Sequence, residues 1–250
     1  MAEPLLRAED ITVRFGDFIA LNGMSIAVAP GSIHALIGPN GAGKTTFFNA
    51  LTGVRPPNAG RIVFNSRTVT RVPAHARVRH GMARSFQVTN IYPALSVREN
   101  LRLAVQAHHA REGWVFWRSP AARRDIATEV EAILADVGIA DQADRRAGDL
   151  SHGGQRSLEI GMALGARPLM ICLDEPLAGM GIDDVHRTKD LILGLKRRMA
   201  VLLIEHNMSV VLSISDRITV MAQGRKIAED TPDRIRNDAA VRTAYLGSQA

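Results

Sequence analysis

Cysteine is almost absent. Cys172 is the only one in 250 residues, so no internal disulfide can form. It lies in an apolar run and reads as a small buried hydrophobe. Long apolar runs are missing too: nothing approaches the roughly 18 uninterrupted apolar residues of a membrane span. The opening Met1-Ala2-Glu3-Pro4 lacks the basic and apolar stretches of a secretory signal. These absences predict a cytoplasmic protein. Repeats, low-complexity segments and long linkers are likewise missing. Aromatic residues make up only 4% of the chain, and no basic stripe interleaves with them at a regular spacing. The net charge of +6 therefore points away from nucleic acid and toward small polyanions such as nucleotides. Hydrophobic content of 46% and charged content of 22% suit one ordinary globular core, with room for a subdomain.

Lysine is also scarce, with 4 against 27 arginines, and one of the four stands where a compact ammonium is needed. Gly38-Pro39-Asn40-Gly41-Ala42-Gly43-Lys44-Thr45 fits G-x-x-x-x-G-K followed by Ser or Thr, the phosphate-cradling loop. The apolar run Ile33 to Ile37 before it reads as a buried strand, and the stretch from Thr45 and Thr46 to Leu51 reads as a helix. Glycines at 38, 41 and 43 let the backbone N–H groups around Asn40 converge on an anion, and the helix N-terminus adds partial positive charge. Lys44 then meets the terminal phosphates, and the Thr45 hydroxyl can ligate magnesium.

The remaining pattern alternates between strand and helix. Leu5–Val13 and Ile19–Val28 read as antiparallel strands joined at Phe15-Gly16, with another strand at 61–64. Residues 74–80 form a short helical piece, and 82–86 a strand closed by Gln87. From Ser96 to about Ala147 the pattern is helical, with Ser96 and Glu99 in a capping box and an amphipathic helix over Ile126–Val137. Between these helices, residues 111–120 carry Trp114 and Trp117 flanked by arginines. That segment is either a helix-packing cluster or an exposed docking surface for a partner helix or bilayer edge. Helices at 153–164, 183–198 and 208–215 then alternate with buried strands at 169–173 and 200–204. A hairpin turns at Gln223-Gly224. The fold class expected is α/β with a parallel sheet.

Charged and polar residues fall where such a sheet binds ligands, at the carboxyl ends of its strands. Asp174 and Glu175 follow one buried strand. Asp174 suits a magnesium ion, and Glu175 suits a water attacking the γ-phosphate. His206 follows the next strand, where it can bond the γ-phosphate and hold that water; its alternative is a satisfied core histidine. Gln87 is placed to sense magnesium or water, or is a plain surface glutamine. Phe15 suits an adenine ring or a core contact. Leu150-Ser151-His152-Gly153-Gly154 precedes a helix and forms a second anion-binding N-terminus. One nucleotide rarely needs two such loops, so Ser151 and Gly153 are expected to serve a nucleotide held by another chain.

These residues, in this order and spacing, resemble the ATP-binding cassette (ABC) ATPases over essentially the whole chain. The resemblance assigns the Walker A loop to 38–45, the adenine-stacking aromatic to Phe15 and the Q-loop to Gln87. It assigns the signature to 150–154, Walker B to 169–174, the catalytic glutamate to Glu175 and the switch histidine to His206. It implies a P-loop NTPase core (1–87 and 151–250) with an antiparallel β-subdomain, and a helical subdomain at about 88–150. ATP and Mg2+ are the implied ligands, with Thr45, Gln87 and Asp174 at the metal.

Three positions depart from the family pattern. The signature reads Leu-Ser-His-Gly-Gly, Gly181 stands where the D-loop usually has aspartate, and Glu205-His206-Asn207 replaces the commoner Thr-His-Asp. The words Arg84-Ser85-Phe86-Gln87, Leu158-Glu159-Ile160-Gly161-Met162-Ala163, Ile204-Glu205-His206-Asn207-Met208 and Ala244-Tyr245-Leu246-Gly247 resemble the branched-chain amino acid importer ATPases of the LivG type. Urea and amide importer ATPases share many of them. The implied partners are two membrane permeases, a sister ABC ATPase or a second copy, and a periplasmic solute-binding protein. The implied location is the cytoplasmic face of the inner membrane. Exporter ATPases and non-transport ABC ATPases are the alternatives.

Overall fold

The computed structural model describes residues 3–85, 91–110 and 120–246. Gln87 and the segment from Trp114 to Trp117 lie outside the described residues. Strands β1 (Leu6–Phe15), β2 (Phe18–Val28), β4 (Ala59–Phe64) and β5 (Arg67–Thr68) form an antiparallel sheet in the order β2-β1-β4-β5. A second sheet takes β3 (Ile33–Ile37), β6 (Met82–Arg84), β7 (Met170–Asp174), β8 (Ala200–Ile204), β9 (Arg217–Ala222) and β10 (Arg225–Asp230) in the order β10-β9-β3-β8-β7-β6. All its pairings are parallel except the β9–β10 hairpin. That hairpin turns at Gln223 and Gly224, both with positive φ, which suits a right-twisted two-residue turn.

The helices are α1 (Lys44–Thr52), α2 (Ala74–Arg77), α3 (Val97–Ala110), α4 (Pro120–Asp136), α5 (His152–Leu164), α6 (Ile182–Leu195), α7 (Met208–Ile214), α8 (Pro232–Asn237) and α9 (Ala239–Leu246). The expected capping box opens α3: Ser96 N–H donates to Glu99 Oε2 at 3.1 Å, and Glu99 N–H donates to Ser96 Oγ at 3.1 Å.

Strand periodicity sends side chains of β7 and β8 into two cores. Met170, Cys172, Ala200, Leu202 and Ile204 pack on one face with Phe47, Phe48 and Leu51 of α1 and with the antiparallel sheet. Ile171, Leu173, Val201 and Leu203 pack on the other with α3, α4, α5 and α6. Both faces are covered, which explains the continuous apolar runs in the sequence. The helix that follows the glycine loop is therefore clamped between two sheets.

Arg77 locks the far end of that helix. It is 1% exposed, and its guanidinium donates to the carbonyls of Ala50, Leu51, Val69, Thr70 and Val72. Two of these are orphan carbonyls at the C-terminus of α1. Burial lowers its pKa to about 10, still well above neutrality.

Element types match the expectations, and some bounds shift. β7 runs one residue later than expected because Asp174 still pairs with Ile204. Leu169 stays 44% exposed, its N–H bonded to the Gly81 carbonyl. α4 begins six residues before Ile126, at Pro120, a residue well tolerated in a first helical turn.

Candidate nucleotide site

The loop from Gly38 to Gly43 leaves the carboxyl end of β3, the strand between β8 and β9. Its path is dictated by close contact. Gly38 has φ 155°, and a Cβ there would lie 2.2 Å from the Met221 carbonyl oxygen. At Gly43, φ 94°, a Cβ would lie 2.9 Å from Leu21 Cδ2 and 3.0 Å from the Ala20 carbonyl oxygen. Gly224 in turn presses on Ala20, where a Cβ would lie 2.4 Å from its oxygen. The loop is thus wedged between β2 and the end of β9, and a side chain at 38 or 43 would force it open. Gly41, φ 77°, faces open space; its glycine is required by conformation alone.

Lys44 is 9% exposed and its ammonium donates to the carbonyls of Gly38 at 2.7 Å and Pro39 at 3.0 Å. Burial lowers its pKa, opposed by the charges of Glu175 and Asp174. Those two carboxylates are therefore close enough to act on it. Asn40 and Thr45 are exposed and Thr46 half-buried beside them.

Asp174 ends β7 and is 3% exposed. Burial raises its pKa, and Arg84, whose Nη2 lies 3.6 Å from Oδ2, opposes that. Asp174 Oδ2 is buried and has no hydrogen-bond partner among the described residues. A buried carboxylate oxygen at a strand end, ion-paired to Arg84 at 3.6 Å but accepting no hydrogen bond among those residues, suits a hard divalent cation. No cluster of three or more His, Cys, Asp or Glu suited to a metal occurs among the described residues. Thr45 and Asp174 fit magnesium shared with nucleotide phosphates, which needs few protein ligands.

Glu175 turns outward. Its φ is 46°, its side chain is 29% exposed, and Oε1 lies 3.7 Å from His206 Nδ1. The structure so brings Lys44, Asp174, Glu175 and His206 to one edge of the sheet. Phe15 sits apart at the end of β1, 46% exposed, with the Arg55 guanidinium 4.0 Å over its ring.

Ser151 and Gly153 belong to another surface. Ser151 caps α5 by accepting from Gly154 N–H at 3.1 Å. With Gly153, Asp184 and Arg187 it lines a groove of about 770 Å³ between α5 and α6. A Cβ on Gly153 would lie 2.4 Å from Asp184 Cγ, so glycine is what lets α6 approach.

Three residues without a role in the sequence reading surround the site. Arg84 donates to Asn49 Oδ1 at 2.8 Å and Thr52 Oγ1 at 2.9 Å, joining α1 to β6 and Asp174. Arg156 and Glu205 touch the backbone on either side of Glu175. Arg84 and Glu205 stand inside words that carried the family resemblance, which was the available signal. Arg156 carried none.

A family model described as ABC transporter matches residues 21–178, and one described as branched-chain amino acid ATP-binding cassette transporter matches 225–250. The high-affinity branched-chain amino acid transport ATP-binding protein BraF of Pseudomonas aeruginosa is 39% identical, with 99% of each chain covered. LivG of Escherichia coli, of the same description, is 37% identical over 99% of each. Among solved structures, an ATP-binding cassette of an ABC transporter in its ADP conformation aligns with a TM-score of 0.85. It is 32% identical, and 98% of this chain and 100% of that one are covered. A phosphate loop, a buried strand-end Asp-Glu pair and a facing histidine, on a fold and sequence matched end to end, leave one assignment: this chain belongs to the ABC transporter ATP-binding protein family.

Proposed function

We propose that this chain powers an importer for branched-chain amino acids or a related small polar solute. The observation that carries the reading is the convergence of Lys44, Asp174, Glu175 and His206 at one sheet edge. The C-terminal match to a branched-chain amino acid transporter model favours an importer. It stands against the exporter reading, supported by a lipopolysaccharide export ATP-binding protein of Haemophilus influenzae 32% identical over 98% of each chain.

In this reading the amides of Gly41 and Gly43 and the Lys44 ammonium bind the ATP phosphates. Phe15 takes the adenine on the ring face away from Arg55. Thr45 and Asp174, with Gln87, hold Mg2+, which neutralises phosphate charge when bound. Glu175 accepts a proton from the attacking water, and His206 orients that water against the γ-phosphate. Ser151 and Gly153 close over the nucleotide of a facing ATPase, a sister subunit or a second copy. The core comprises 1–87 and 151–250. The helical block at about 88–150, with Gln87, meets two permeases at the cytoplasmic face of the inner membrane, and a periplasmic binding protein delivers the solute. No helix of the described residues is long and apolar enough to cross a membrane, which suits a peripheral subunit.

The test is uptake by the chain co-reconstituted with two branched-chain amino acid importer permeases and their solute-binding protein. ATP-dependent uptake of radiolabelled leucine that stops with Glu175→Gln supports the reading. Uptake of urea or amides but not leucine reassigns the solute, and outward transport overturns the importer.

A further inference from the structure

Glu175 holds a backbone conformation that side chains other than Asn and Asp rarely adopt, with φ 46°. Such strain persists only where the surroundings over-determine it. The Glu175 N–H donates to the Ile204 carbonyl at 2.9 Å. On its N-terminal side, Arg156 Nη2 donates to the Asp174 carbonyl at 2.7 Å. On its C-terminal side, Leu177 N–H donates to Glu205 Oε1 at 3.0 Å, while His206 N–H donates to Glu205 Oε2 at 3.2 Å. Arg156 is 6% exposed and Glu205 1%. Arg156 also pairs with Glu159 one turn along α5.

We propose that Arg156 and Glu205 are positioning residues that hold Glu175 and His206 in register for the attacking water. Glu205 joins the loop after β7 to the loop after β8, and it needs both carboxylate oxygens to do so. A glutamine there would accept one N–H and turn its own amide hydrogens toward the other. Arg156 fixes the carbonyl of the peptide bond that leads into Glu175. It lies on the same helix as Ser151, so a shift of α5 reaches the catalytic peptide directly. This inference rests on the roles proposed above for Glu175 and His206.

Two variants test it: Glu205→Gln, and the double variant Arg156→Met with Glu159→Met. The double change removes both buried charges together, since Arg156→Met alone would strand the Glu159 carboxylate. In full-length chain under conditions where wild type turns over, kcat is expected to fall about tenfold or more. KM for MgATP and the Kd of a non-hydrolysable ATP analogue are expected to stay within about twofold. Unchanged kcat in both variants overturns the proposal. So does a parallel loss of analogue binding, which would mark a merely structural role. Should the double variant not fold, the near-isosteric Glu205→Gln decides. Absence of turnover in wild type would instead sink the function reading, and this inference with it.

Discussion

Gly38 and Lys44 carry the sharpest residue-level consequences. A methyl at Gly38 meets the Met221 oxygen at 2.2 Å, so Gly38→Ala must displace the loop or the end of β9. Nucleotide binding by that variant, followed by a fluorescent ATP analogue, is expected to weaken at least about tenfold, while Gly41→Ala, with open space around it, is expected to do less harm. Lys44→Ala removes the ammonium held by two loop carbonyls and should weaken binding similarly. Arg77 is a different case. Its removal leaves buried carbonyls at the end of α1 without donors, so Arg77→Met is expected to lower stability by about 3 kcal/mol in urea unfolding. Nothing in the sequence marked Arg77 among 27 arginines; its partners converge from separate turns of chain.

Strand β3 has its own prediction. His34 is 1% exposed in the middle of that strand, with Nε2 2.8 Å from Thr219 Oγ1. Burial lowers its pKa to about 4, with Glu229 opposing and Arg217 assisting. The unfolded chain binds a proton at about pH 6.5, whereas the folded chain binds it only near pH 4. Stability from this group is therefore complete above about pH 6.5 and lost as pH falls toward 4, by about 3 kcal/mol at most. Urea unfolding across that window should show the slope, and His34→Gln should flatten it.

Elements of this kind were legible in sequence because their patterns are local. The period of two in β1, the capping box of α3 and the glycine turn at 223–224 each state their own geometry. The glycine loop and Asp174-Glu175 were legible because their chemistry depends on adjacent residues. Arg84, Arg156 and Glu205 were not, because their partners lie 18 to 35 positions away: side chains of α1 for Arg84, backbone atoms beside Glu175 for Arg156 and Glu205. Such contacts exist only once the sheet has brought the strand ends together.

At the scale of the molecule, Ser151 and Gly153 line their own groove with Asp184, on a surface separate from the Lys44 edge. In the proposed function Ser151 and Gly153 serve a facing chain's nucleotide, and the phosphate cradle is then half a catalytic site. The Glu175→Gln chain is expected to bind ATP and accumulate as a closed dimer, visible by light scattering, because closure proceeds and hydrolysis does not.

The most direct measurement is ATP turnover per chain as a function of chain concentration, with and without a candidate sister ATPase. A half-site predicts a rate per chain that rises with concentration or on adding the sister subunit, and that vanishes in dilute monomer. A full rate per chain, unchanged on dilution into the monomeric state, would contradict it.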